Sequence, residues 1–223
     1  MNRICRAGVM LLAAGLPSVA SAQVYSAAAT GPFGPIPDGA GSNVSGAPLV
    51  TTANIAGSGS IVDVSIDFGQ GGLVHTWAGD LTLVLTHPNG TTSMDILLRP
   101  GRGSASTFGF SSDFVTAESY MFSDAGANLF DVAPPTIIPT GNYRATTNPN
   151  PPATNVLPYV YTPVSFASTF GGLDSAGVWS LEARDWAGGD TGFITGWTLT
   201  VSVPTPGSMA LLEIGRASCR ERV

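Results

Sequence analysis

The sequence predicts an all-β fold, a single-domain antiparallel jelly-roll β-sandwich, and three observations carry that expectation. Apolar and polar residues alternate at period two in four short segments, as they do in strands with one dry and one wet face. No 3.6-period apolar stripe longer than three turns occurs after residue 22, which leaves little room for helices. The chain carries 28 glycines and 17 prolines, punctuation that suits many short strands joined by turns rather than strand–helix–strand units. At 223 residues there is length for one sandwich plus trimmings, and a second full domain would be crowded.

Taken in order, residues 1–22 read as an export signal. Arg3 and Arg6 precede the apolar run Ala7 to Leu16, and Ala20-Ser21-Ala22 supplies small residues for cleavage before Gln23. The run is well short of the ~20 apolar residues that span a bilayer. Residues 23–35 form an extended lead-in, and the folded module is expected over 36–203. Its first strand places Val62, Val64, Ile66 and Phe68 on one face, with Asp63, Ser65 and Asp67 on the other. Leu81, Leu83 and Leu85 alternate against Thr82 and Thr86 in the next strand. Pro88-Asn89-Gly90 then turns the chain into a hairpin with Thr92 to Leu98.

The alternation fails over 131–163, where eight prolines deny the hydrogen bonds a strand needs. This segment is expected to be a long surface loop, an insertion that is disordered or loosely packed. Beyond it, Trp179, Leu181 and Ala183 alternate with Ser180 and Glu182. Trp197, Leu199, Val201 and Val203 alternate with Thr198, Thr200 and Ser202, and Gly188 to Gly192 between these strands is a loop or hairpin tip.

Charge and cysteine usage narrow the function classes. Between Gln23 and Leu212 there are eleven Asp and two Glu against four Arg and no Lys, a balance of −9. Nucleic acid is excluded, because phosphates call for clustered cations. The acidic excess fits calcium or plain solubility. Cys5 and Cys219 both lie outside this stretch, so the module has no disulfide framework and stands on buried apolar surface, with a bound metal as the other available support.

Three ordered segments carry a resemblance: Ile36-Pro37-Asp38 with the strand from Ile61; His75-Thr76-Trp77-Ala78-Gly79-Asp80-Leu81 through Leu85, closed by His87-Pro88-Asn89-Gly90-Thr91; and Gly177-Val178-Trp179-Ser180-Leu181 with Asp185, Gly192 and Gly196-Trp197-Thr198-Leu199. Together, from about Ile36 to Val203, they resemble the P domain (Homo B domain) of subtilisin-like proprotein convertases. The resemblance implies a galactose-binding-like jelly roll and a module that ordinarily accompanies a protease. It implies structural work for His75, Gly79, Asp80, Leu81, Pro88, Gly90, Trp179 and Trp197. On physical grounds the two tryptophans would fill the core, Gly79 and Gly192 would permit turns, and backbone N–H groups would hold Asp80.

No protease is encoded alongside the module. A subtilisin-like site needs Ser, His and Asp on a large α/β scaffold, whereas the chain has two His, each with a structural explanation. Gly90-Thr91-Thr92-Ser93-Met94 echoes a protease serine motif, yet it lies in a hairpin with no helix to support a nucleophile. Calcium is the better chemical candidate, with Asp38, Asp80, Asp185 and Asp190 flanking Gly-rich loops as its carboxylates. Trp77 and Trp186, expected on exposed loops, could stack on sugar faces or cap the ends of the sandwich.

Residues 204–212 continue from Val203 as Val-Pro-Thr-Pro-Gly and a short apolar run, which resembles the opening of a PEP-CTERM sorting signal. That likeness implies processing by an exosortase in a Gram-negative bacterium that makes exopolysaccharide. Residues 213–223 resemble the in-frame translation of a sequencing adapter, so the natural chain is expected to continue differently after Leu212, through a membrane-spanning segment. The expected function is a non-catalytic binding or structural module at the cell surface or outside the cell. The rivals are an accessory to a separately encoded subtilisin-like serine endopeptidase, tied to proteolysis by association, and an exopolysaccharide-binding module.

Overall fold

The computed structural model describes residues 22–102, 108–129, 136–147 and 162–205. Cys5 and Cys219, all but the last residue of the segment expected to be an export signal, the expected sorting signal after Thr205 and the segment expected to be adapter-derived lie outside the described residues.

In chain order the strands are β1 (Ala22–Ala28), β2 (Gly34–Ile36), β3 (Leu49–Ile55), β4 (Asp63–Gln70) and β5 (Leu73–His75). A 3-10 turn, Ala78–Asp80, leads into β6 (Leu81–Thr86), β7 (Ser93–Leu98), β8 (Ser119–Ala127) and β9 (Gly141–Tyr143). The ribbon β10 (Thr146–Thr147) and β11 (Thr162–Pro163) precedes a short helix, α1 (Phe166–Phe170). The chain then runs through β12 (Gly177–Asp185), β13 (Gly192–Ile194) and β14 (Thr198–Pro204). The fold is all-β, as its alternation predicts.

Two main sheets form the sandwich, in the orders β1-β14-β4-β8-β9 and β3-β12-β6-β7. Every pairing in them is antiparallel except β8 with β9. Register aligns the apolar positions across strands, Leu199 with Ile66 with Phe122 in one sheet and Leu181 with Leu85 with Met94 in the other. All six are buried in one core. Phe68 meets Phe122 edge-on at 6.1 Å and Phe170 meets Trp179 at 5.1 Å, a geometry that suits the ring quadrupoles.

Both core tryptophans find polar partners. The Trp179 indole donates to the Ser175 carbonyl at 3.1 Å, and the Trp197 indole donates to Thr51 Oγ1 at 2.8 Å. The second bond joins the approach to β14 in one sheet to β3 in the other. The predicted hairpin is present: β6 and β7 pair, and Gly90 takes φ 71° in the turn.

Four expectations need correction. Val62 lies outside β4 and is 45% exposed, because the strand begins one residue later. The lead-in contains an integral strand, β1, paired with β14 over seven residues. Of the two readings for Gly188–Gly192 the loop holds up to Thr191, but Gly192 already belongs to β13, which stands between β12 and β14 in a third sheet, β2-β13-β5. Within the Pro-rich segment, residues 136–147 are structured. Ile138, Tyr143 and Ala145 are buried there, and β9 extends the first sheet. Six of the eight prolines fall outside the described residues; Pro139 lies between Ile138 and β9, and Pro163 ends the two-residue strand β11.

The helix start is held from a neighbouring strand. Asp124 on β8 accepts from Ser165 Oγ at 2.6 Å, from the Phe166 N–H at 2.7 Å and from the Ala167 N–H at 3.0 Å. The two N–H groups are orphan donors of the helix N-terminus, Ser165 is its N-cap, and their capture seats Phe166 and Phe170 in the core.

Candidate functional site

The motif segments converge on a buried polar node. Pairing of β12 with β6 sets Asp185 opposite Leu81, and pairing of β13 with β5 sets Gly192 opposite His75. His75 Nε2 thereby lies 3.0 Å from Asp185 Oδ2, with both side chains fully buried. The Trp77 N–H donates to His75 Nδ1 at 3.2 Å. An N–H can only donate, so the ring proton sits on Nε2 and is directed to Asp185. The Ala187 N–H occupies Asp185 Oδ1 at 3.1 Å.

The node continues into a second pair. Arg99 Nη2 donates to Asp80 Oδ1 at 3.2 Å, Arg99 Nε donates to the Gly79 carbonyl at 2.9 Å, and Arg99 Nη1 donates to Asn43 Oδ1 at 2.8 Å. The Arg99 backbone is left-handed, φ 44°, a conformation that costs a Cβ-bearing residue on the order of 1 kcal/mol. Three acceptors for its guanidinium offset that strain. Burial pushes the Asp80 carboxyl up to about 6, with Asp185 adding to the rise and Arg99 and His75 opposing it. The side chain that holds Asp80 is thus a guanidinium, where backbone N–H groups were expected.

Glycine is required here by close approach rather than by turn geometry. A Cβ on Gly192 would sit 2.4 Å from His75 Cδ2 and 2.4 Å from the Val74 carbonyl oxygen. One on Gly79 would sit 2.1 Å from the Phe108 carbonyl oxygen. Leu81 is fully buried beside them. At the opposite hairpin end, His87 Nε2 lies 2.8 Å from the Asp174 carbonyl oxygen and His87 Nδ1 accepts from the Asn89 N–H at 3.1 Å. Its ring meets Trp179 edge-on at 4.8 Å. Pro88 packs so closely on Gly177 that a Cβ there would fall 2.8 Å from Pro88 Cβ. Ser93 of the serine-like motif opens β7 and is exposed, on a strand rather than at a helix N-terminus.

The four carboxylates proposed for calcium do not form one cluster. Asp38 accepts from the Gly189 N–H at 3.2 Å and Asp190 from Thr76 Oγ1 at 3.0 Å, while Asp80 and Asp185 face Arg99 and His75. Among the described residues no three His, Cys, Asp or Glu side chains form a group that could hold a metal ion. The two loop tryptophans are half-buried rather than exposed. Trp77 Nε1 donates to the Phe108 carbonyl at 2.9 Å and Trp186 Nε1 to Thr82 Oγ1 at 3.0 Å. Both act as caps on loops, leaving less ring face for a ligand.

Sequence reasoning missed Arg99 and Asn43. The available signal was Arg99 itself, one of four cations between Gln23 and Leu212, placed directly after the apolar run Ile96-Leu97-Leu98. The chain matches no protein-family model, no curated protein and no solved structure. Among the described residues no helix is long and apolar enough to cross a membrane.

Proposed function

We propose that the chain is an exported, non-catalytic β-sandwich of the P-domain type that serves as a binding or structural module at the surface of a Gram-negative cell or in its matrix. One observation carries the reading. The closest approach to hydrolytic machinery, the His75–Asp185 pair, is fully buried with both ring nitrogens engaged, so it supports a loop junction and offers no base to a substrate. Of the P-domain-like motif residues, His75, Gly79, Asp80, Leu81, Asp185 and Gly192 meet at this junction, which favours scaffold duty for them. Exposed loops and sheet faces are then left for recognition.

The test is incubation of the purified chain with casein and with a fluorogenic peptide library. Unchanged substrates are the expected outcome. Cleavage by the parent protein that is lost in the His75→Ala or His87→Ala variant would overturn the non-catalytic reading.

A further inference from the structure

A groove of about 340 Å³ opens where β1, β14 and β4 end, away from the buried node. Register places Ala28, Thr198 and Asp67 side by side across these three strands, and the alternation that buries Ile66 and Leu199 turns Asp67 and Thr198 to the outer face. Phe33 forms one wall and is 40% exposed, which leaves part of its ring face open to the groove. Thr195 and the mostly buried Trp197 complete the lining.

The floor is kept low by missing side chains. A Cβ on Gly69 or on Gly196 would meet nothing within 4 Å, and both glycines line the groove. The polar groups are aimed for hydroxyl partners. Asp67 Oδ1 accepts from the Gly69 N–H at 2.8 Å, which fixes the carboxylate, while a carboxylate keeps lone pairs for several donors. Thr195 Oγ1 spends its proton on the Gly71 carbonyl at 2.9 Å and so presents acceptor lone pairs.

We propose that this groove is a subsite for one hexopyranose unit of a neutral polysaccharide. The sugar's apolar face would lie on Phe33, and its hydroxyls would donate to Asp67 and Thr195 and pair with Thr198. The volume falls at the lower end of small-ligand sites. An aromatic wall beside fixed acceptors suits a ligand with one apolar face and a hydroxyl rim. The charge balance of −9 and the carboxylate on the floor disfavour anionic sugars. This assignment rests on the binding-module reading and replaces Trp77 and Trp186 as the sugar contacts.

Calorimetric titration of the full chain with neutral β-glucan, mannan and galactan oligosaccharides tests it, with oligogalacturonate as the anionic control. At least one neutral oligomer should bind and the anionic one should not. Phe33→Ala and Asp67→Asn should each weaken that binding about tenfold, the loss of one stacking or charge-assisted contact, with melting temperature unchanged because both residues are surface ones. Trp77→Phe should leave it intact. Failure of every neutral oligomer to bind, preference for the anionic one, or equal affinity in the Phe33 and Asp67 variants overturns the groove. Binding lost in Trp77 or Trp186 variants alone moves the sugar elsewhere and leaves the binding module standing. Release of new reducing ends from the oligosaccharides would instead overturn the non-catalytic reading.

Discussion

Asp80 is buried beside a cation and two further titratable side chains, so its protonation should register in the stability of the whole fold. Its carboxyl is raised from 3.8 to about 6, so across that interval the folded chain holds more protons than the unfolded one. Stability then falls with rising pH. The contribution is fully present below pH 3.8, declines to about pH 6 and is gone above it. Asp80→Asn removes the titration, so its melting temperature relative to the parent should rise as pH passes from 4 to 7; a difference that stays flat across the range would show that Arg99 keeps Asp80 ionised throughout. Steric demands are testable at the same scale. Gly192→Ala drives a Cβ to 2.4 Å from His75 and from the Val74 carbonyl oxygen and should cost about 1–3 kcal/mol in urea unfolding. Gly196→Ala, where a Cβ meets nothing within 4 Å, should stay within about 0.5 kcal/mol. Equal losses would remove close approach as the reason for glycine at 192.

At the scale of elements, legibility in the sequence followed strand length. Val64, Ile66, Leu83, Leu85, Trp179, Leu181, Leu199 and Val201 were readable as core because period-two alternation runs through strands of six to nine residues, and all are buried. The three-residue strands β2, β5, β9 and β13 are too short to display a period, and only their partners reveal them. The site was less legible. Chain order brought His75 and Asp185 into the same motif set, but 110 residues separate them and their bond depends on two strand registers. The Asp80 partnership with Arg99 likewise arises from the return of β7 alongside β6. Strand β1 carries little apolar signal, being mostly exposed along its length, and owes its place to backbone pairing with β14 and to Tyr25 and Ala27, which pack against the core. A chain begun at Thr30 should therefore lose more than a tail. The β14 edge would lie open, a template for association, and the shortened protein should melt lower and elute partly as aggregates in size-exclusion chromatography. Unchanged melting and elution would reduce β1 to a dispensable lead-in.

For the whole molecule, Ala22 to Pro204 forms one compact unit, and no cysteine lies between Gln23 and Leu212 to staple its sheets. Cohesion rests on the shared core and on the few polar bonds that cross it. Trp197 supplies both at once: the residue is 3% exposed and its indole N–H spans to Thr51, itself fully buried. Trp197→Phe retains most of the apolar contact but leaves the Thr51 hydroxyl without that donor, a loss of about 1–3 kcal/mol. Trp197→Ala adds a cavity and should cost about 3–5 kcal/mol. Because the bond couples the two sheets, the loss should appear as a downward shift of one unfolding transition, seen at the same temperature by far-ultraviolet circular dichroism and by tryptophan fluorescence. Separate transitions for the two probes, in the parent or in Trp197→Phe, would mean that the sheets unfold independently and that the core between them is not a single cooperative structure.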